Sequence, residues 1–312
     1  MESTLELSVI IPVTDRYDPI REVYQEYKEG IEASKLRSEI IYVLDGPFPE
    51  VFKELTQLRE EGETIRIITL AKRFGEATAL TVGFNHSTAN MLLTLPAYQQ
   101  IQASEIPKLL SALNEHDMVL ARRWPRIDSR LNRIRSTVFN TLLRFDRDLS
   151  IHDAGCNVRV FKRRVADEIH IYGDLHTFLP LMAHRYGFKV TELSAIQSPR
   201  DRLRRSYRAA NYVNKILDIL TIFFLTKFTK KPLRFFGLIG ATTLALGLAS
   251  TLYVVVERLV FDVSLASRPA LLLSSLLVVL GIQIFAIGLI GEIVIFTHAR
   301  ELREYTVDKI IN

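Results

Sequence analysis

The sequence predicts an α/β domain built on a mostly parallel sheet, followed by two helices suited to a bilayer. Three observations lead there. Short apolar runs alternate with segments of helical spacing from Leu7 to Ala121, which is the pattern of a parallel sheet covered on both faces. Several runs close on chain breakers, at Pro12, at Asp45-Gly46-Pro47 and at Pro96. The final third then holds Phe235–Val256, an uncharged and mostly apolar run of 22 residues, and a second such run at Pro269–Ile290. As a helix the first measures roughly 33 Å, enough for a hydrocarbon core of about 30 Å. Two helices apolar all round would otherwise need a large protein about them, so a membrane hairpin is expected.

The elements follow in order. Leu7–Val13 is a strand closing at Pro12. Asp18–Ser34 has helical spacing at Ile20, Val23, Tyr24, Tyr27 and Ile31, with Asp18 as a cap and Pro19 at the first position. Glu39–Leu44 is a strand, Phe48–Glu61 a helix, Ile65–Leu70 a strand and Gly75–His86 a helix of small residues. Met91–Leu95 reads as a buried strand stopped by Pro96. Ligands of open α/β sheets bind beyond the carboxyl ends of strands, so Pro96-Ala97-Tyr98-Gln99-Gln100 marks the expected site. Ser104–Asn114 is a helix and Met118–Ala121 a strand. Arg126–Arg147 forms a basic amphipathic helix, followed by a strand at Asn157–Phe161, a helix at Asp174–Tyr186 and a strand at Lys189–Ile196. Ser198–Arg208 is an arginine-rich loop. Asn211–Lys227 carries Tyr212, Ile216, Leu220 and Phe223 on one side, as an interfacial helix lying on a bilayer would. The expected division is 1–210 for the α/β domain, 211–233 for the interfacial helix and 234–312 for the hairpin with its tail.

Charge narrows the class. The formal net charge is +5, with basic residues crowded at Arg122–Arg147 and Arg200–Arg208. Lys227, Lys230, Lys231 and Arg234 precede the first span, and Arg300, Arg303 and Lys309 follow the second. The connecting loop offsets Arg258 and Arg268 with Glu257 and Asp262, so both ends and the α/β domain are expected on the cytoplasmic side. The single cysteine, Cys156, excludes an internal disulfide. Met1–Glu6 has neither a basic n-region nor an apolar h-region, so no cleaved signal is expected. No nucleic-acid motif accompanies the basic helix, and two spans do, so its partner is expected to be lipid. His152, Asp153 and Cys156 are metal ligands by type, but without a second cluster a loop buttress is the expectation, with Asp153 orienting an arginine. Glu292 inside an apolar helix should lie near the interface or pair with a neighbour.

Several stretches resemble the family 2 glycosyltransferases: Ser8-Val-Ile-Ile-Pro12, Glu39-Ile-Ile-Tyr-Val-Leu-Asp-Gly46, Arg73-Phe-Gly-Glu-Ala-Thr-Ala-Leu80 and Glu105-Ile-Pro107. His152-Asp-Ala-Gly-Cys156 with Arg159, Tyr172–Pro180 and Gly288-Leu-Ile-Gly-Glu292 are similar to its polyprenyl-phosphate branch, that of dolichol-phosphate mannosyltransferase and GtrB-like enzymes. The resemblance implies a GT-A, Rossmann-like fold, a nucleotide-sugar donor, a polyprenyl phosphate acceptor and a divalent Mg²⁺ or Mn²⁺. Homo-oligomers are also known among such enzymes. By resemblance, Pro12, Asp45 and Ala97 fall on the nucleotide-sugar side, Gln100 at the reacting centre, and Arg122, Arg200 and Ser206 on the acceptor phosphate. An aspartate before Gly46 is equally a turn residue, and a basic face equally meets anionic lipid.

The departures are as informative. Pro96-Ala97-Tyr98 stands where the family has Asp-x-Asp, and hard cations want carboxylate oxygens. Thr14-Asp15-Arg16 stands where the family has Tyr-Asn-Glu, Arg73 stands where it has an asparagine before Phe-Gly, and Ser206 replaces a basic residue before Tyr207. Two readings follow. Arg16 and Arg73, with Lys72, neutralise the leaving diphosphate of a hexosyltransferase that needs no metal. Alternatively the chain is an inactive relative that binds a lipid phosphate or a partner.

Overall fold

The computed structural model describes residues 5–126, 151–153, 155–169, 171, 175–204, 232–261 and 269–298. Past Arg126, the expected basic helix lies outside them, as do the interfacial helix Asn211–Lys227 and Ser206. The chain divides into two compact units, one built on Met1–Arg208 and the other on Ala209–Glu304.

In the first unit, β1 (Leu7–Val13), β2 (Ser38–Leu44), β3 (Ile65–Thr69), β4 (Met91–Thr94), β5 (Met118–Arg123), β6 (Arg159–Lys162) and β7 (Val190–Ala195) make one sheet, ordered β3-β2-β1-β4-β6-β5-β7. β1 runs parallel to β2 and β4, β2 to β3, and β5 to β7. β6 alone is reversed, antiparallel to both β4 and β5. An apolar run looks the same in either direction, so only the path of the chain from Trp124 to Val158 decides this.

Alternation along β1 builds two cores. Leu7, Val9, Ile11 and Val13 face α1 (Ile20–Glu32), α2 (Pro49–Glu60) and α4 (Ile106–Ala112). Ile10 faces α3 (Glu76–Asn85), whose Gly83 lies so close that a Cβ would collide with the Ile10 side chain. α5 (Arg163–Glu168) and α6 (Leu179–Arg185) complete the unit, α6 burying Leu179 and Ala183 on the α3 side. α5 is unexpected from sequence because only Val165 of its six residues is buried, too little to make a period. Two expected helices are broken. Ala103–Glu105 is a 3₁₀ turn before α4, and Leu175–Phe178 another before α6, where Pro180 in the first turn sets the break.

The second unit is α7 (Pro232–Phe261) and α8 (Pro269–His298), each 30 residues and so roughly 45 Å long. Glycines let the two backbones touch. A Cβ at Gly240 would sit 2.6 Å from Phe285 N, at Gly247 2.7 Å from Val278 N and at Gly281 2.5 Å from Leu244 N. The outer surface stays apolar, with Leu238, Leu246, Leu252, Leu272 and Leu276 each more than half exposed. Water does not tolerate so continuous a surface, and both helices are long and apolar enough to cross a membrane. Glu292 answers the cost of its charge by accepting the Leu233 backbone N–H at 3.3 Å, a donor in the first turn of α7 with no partner inside its own helix.

Candidate active site

The carboxyl ends of β1 and β4 carry the site. The backbone of Pro12 turns toward the β4 side, but pairing between β1 and β4 stops at Ile10 and Thr94, so the missing N–H breaks no bond. The loop after β4 is stapled from α1. The buried Tyr27 hydroxyl shares its one proton between the carbonyls of Pro96 (3.0 Å) and Tyr98 (2.9 Å). Asp18 does not cap α1. Its N–H donates to Ala97 O at 2.9 Å and its carboxylate accepts the Gln99 N–H at 3.4 Å. The expected cap is thus a brace for the site loop, and Ala97 is buried.

Gln100 is buried and fully engaged. Its Nε2 donates to Tyr98 Oη (3.0 Å) and Gly155 O (3.4 Å), and its Oε1 accepts the Asn157 N–H (2.7 Å). Its backbone carbonyl also accepts Ser198 N–H at 3.0 Å, so one residue ties the Gly155–Asn157 and Ser198 loops to the end of β4.

Arg16 reaches the same place. Its guanidinium lies 3.6 Å from the centroid of the Tyr98 ring, and its Nη2 is 3.3 Å from Asp201 Oδ1. A fixed positive charge therefore stands over the third residue of Pro96-Ala97-Tyr98. Arg73 stands at the mouth, its Nη1 2.6 Å from Oδ1 of Asp15, the neighbour of Arg16, and its guanidinium 5.6 Å from the Phe48 ring. Asp45 holds that loop in place. Its Oδ1 accepts the Phe74 N–H (2.7 Å) and its Oδ2 the Gly75 N–H (3.0 Å), so it braces a segment 29 and 30 residues on, ahead of α3, instead of the local turn before Gly46.

The arginines expected on the acceptor side are held separately. Arg122 lies 5.0 Å from the Trp124 ring, and Arg200 Nη1 is 2.7 Å from Glu22 on α1. The buried member is their neighbour Arg123. It grips Asp153 through Nε (2.6 Å) and Nη2 (2.7 Å), and Asp201 through Nη1 (2.9 Å). Burial alone would lower the Arg123 guanidinium, but the Asp153 carboxylate outweighs it and holds the pKa well above its ordinary value. Burial likewise pushes Asp153 up, and Arg123 more than reverses it, so that carboxyl stays below its usual range. Asp153 does orient an arginine, as expected, and Arg123 is the one. Alternation from Val119 and Ala121 could have placed Arg123 on the core face.

A second group was not expected from the sequence. Arg159 is buried, and its guanidinium donates to the His176 carbonyl and, at 3.5 Å, to Thr177 O and Asn157 Oδ1. Burial lowers its pKa to about 10, partly opposed by the Glu76 carboxylate. Glu76 opens α3, accepts the Asn157 Nδ2 at 2.9 Å and lies 3.5 Å from His176 Nε2. Arg159, Glu76 and Asn157, with Pro12 and Thr94, line a crevice of about 10 Å³, room for one water.

The donor set does not suit a divalent cation. Pro96, Ala97 and Tyr98 offer no carboxylate, Asp15 is spent on Arg73, and the described residues contain no group of three acidic, histidine or cysteine ligands. The His152–Cys156 stretch makes no such group either. His152 Nδ1 pairs with Glu192 at 2.9 Å, Asp153 faces Arg123, and burial pushes the Cys156 thiol up to about 12.

Comparison with known proteins adds the family. The chain is 27% identical over 311 residues to the undecaprenyl-phosphate 4-deoxy-4-formamido-L-arabinose transferase of Klebsiella pneumoniae subsp. pneumoniae, covering 98% of this chain and 94% of that one. The Enterobacter sp. protein of the same name is 27% identical over 317 residues, covering 100% and 95%. Among solved structures, mannosyl-3-phosphoglycerate synthase from Rubrobacter xylanophilus superposes with a TM-score of 0.54 at 12% identity, over 72% of this chain and 75% of that one. Glucosyl-3-phosphoglycerate synthase from Mycobacterium tuberculosis, solved with Mn²⁺, UDP and phosphoglyceric acid, gives 0.53 at 11% identity, over 70% and 78%. These likenesses carry the fold, which is of the GT-A kind. Glycosyl transferase family 2 matches residues 8–170, more than half of the chain, and the chain belongs to that family.

Proposed function

We propose that the protein transfers a sugar, a hexose by the resemblance of its motifs, from a nucleotide sugar to polyprenyl phosphate at the cytoplasmic face of a membrane. An acceptor phosphate oxygen forms the bond to the anomeric carbon as the bond to the diphosphate breaks, and the nucleoside diphosphate leaves with the electron pair and inverts the centre. A phosphate monoester is already anionic at neutral pH, so the attack needs no general base. What the reaction needs is positive charge on the leaving group. The observation that carries this reading is Arg16, stacked at 3.6 Å on Tyr98 where relatives by motif hold a metal-binding acid. Arg73, with Lys72, supplies further charge at the mouth. Pro12, Ala97 and the Asp45-held loop shape the nucleotide side, while Gln100 positions the loops between donor and acceptor. Arg122 and Arg200 receive the acceptor phosphate beside the lipid, with Ser206 in the same segment. The names of the curated relatives support the acceptor class, and they carry a modified pentose, so the sugar itself must be found by assay.

The test is transfer of labelled sugar to polyprenyl phosphate in excess chelator, with candidate nucleotide sugars in turn. Turnover without metal supports the reading; turnover only with added Mg²⁺ or Mn²⁺ sinks its guanidinium part. A second reading, an inactive lipid-phosphate binder, draws on Asp201, which engages both Arg16 and Arg123. Phosphate-lipid binding without transfer from any nucleotide sugar would favour it.

A further inference from the structure

The end of the β5–β7 edge carries an exposed patch that the transfer reaction leaves unexplained. Trp124 is 55% exposed and Ile196 44%. The Trp124 N–H donates to Ala195 O at 2.8 Å, which continues the register in which Arg122 faces Ser194 and Arg123 faces Ala195. Trp124 and Ile196 are therefore lateral neighbours. Ala121 and Ala195 face the core, so alternation turns Arg122, Trp124 and Ile196 to the opposite face. The Arg122 guanidinium lies 5.0 Å from the indole centroid, which places a cation beside the aromatic surface. One indole in water is unremarkable, but an indole, a branched aliphatic chain and a guanidinium side by side match a bilayer interface, where rings sit at headgroup depth and cations meet anionic lipid.

We propose that Trp124 and Ile196, with Arg122, form the surface by which the α/β unit docks on an anionic lipid layer. The charge complementarity with acidic headgroups and the two apolar helices on the same chain select lipid as the occupant. The inference rests on the membrane part of the reading above and not on turnover. It also gives Arg122 a lipid-facing place at the edge where an acceptor phosphate would arrive.

Trp124 is the single tryptophan of the chain, so the unmodified protein reports on its own contact. The full chain is reconstituted in vesicles of phosphatidylcholine and phosphatidylglycerol, with and without bromine on the acyl chains near the glycerol. Docking predicts blue-shifted emission and loss of most of it in the brominated lipid, with Trp124→Phe giving the dark baseline. Replacing phosphatidylglycerol by phosphatidylcholine should weaken the quenching. Emission indifferent to bromine overturns the proposal, whether aqueous iodide quenches it, as for a solvated ring, or does not, as for a ring buried against a second copy. Quenching indifferent to headgroup charge overturns the anionic assignment. A chain that transfers sugar yet shows no quenching separates this failure from failure of the proposed reaction.

Discussion

Replacing Arg16 with glutamine removes the charge over Tyr98 and keeps most of the side-chain volume. At an effective dielectric near 20, a unit cation about 4 Å from a unit anion is worth about 4 kcal/mol. Arg16 is 22% exposed and shares its charge with Asp201 at 3.3 Å, which trims that figure. About 3 kcal/mol should remain for the leaving diphosphate, or roughly 10²-fold in kcat, in line with the loss of one preorganised donor. The fold should survive, because Asp201 keeps Arg123 at 2.9 Å and Gln197 at 2.8 Å. The assay is single-turnover transfer in chelator, read beside the thermal unfolding midpoint in the same detergent. Arg16→Gln retaining transfer within a factor of about three, under 1 kcal/mol, would refute the reasoning. So would a wild-type rate that rises from nothing on adding Mn²⁺.

Three further perturbations follow from the geometry. Asp117 is buried where β5 starts, and accepts from Lys162 (3.0 Å), the Lys189 N–H (3.0 Å) and Arg164. Burial raises its carboxyl, but those donors outweigh burial and bring it from 3.8 to about 2. Because the folded value is the lower one, its stabilisation is whole above the unfolded pKa and fades as pH falls toward 2; Asp117→Asn should remove about 2 kcal/mol at neutral pH and flatten the acid limb of a chemical-unfolding series. Asp45→Asn turns an amide donor toward the Phe74 or Gly75 N–H and should lower stability by about 1–3 kcal/mol, read by thermal unfolding. An unchanged midpoint with lost nucleotide affinity would instead make Asp45 a direct nucleotide contact. Gly281→Val must push α7 away from α8, so the yield of monodisperse protein should collapse, while the outward Ile282→Val leaves it intact.

The elements legible in the sequence are those whose burial has a period. β1, β2 and the first four helices fall within a few residues of their apolar spacing, and Pro12 ends β1 within a residue because its chemistry is local. The reversal of β6 was not legible, since direction belongs to the path that delivers the strand. The burial of Arg123 and Arg159 is less legible, because a charged residue reads as surface, although each shares a strand face with a core residue two positions away: Ala121 before Arg123, and Phe161 after Arg159. Their counter-groups come from far along the chain, Asp201 lying 78 residues from Arg123 and His176 17 residues from Arg159, distances no local pattern spans. Asp18 shows the opposite error. Its position before Pro19 suits a cap, but the loop beyond β4 competes for the same carboxylate and wins.

The bond from Leu233 to Glu292 bears on how the hairpin can move. Sliding one helix along the other by a turn would part the Glu292 side chain from its donor and strip a helix start of its acceptor at once. The glycine contacts alone would resist separation but tolerate some screw motion, since small residues recur along both backbones. The polar clasp at the start of α7 opposes that motion and favours one axial alignment of the pair.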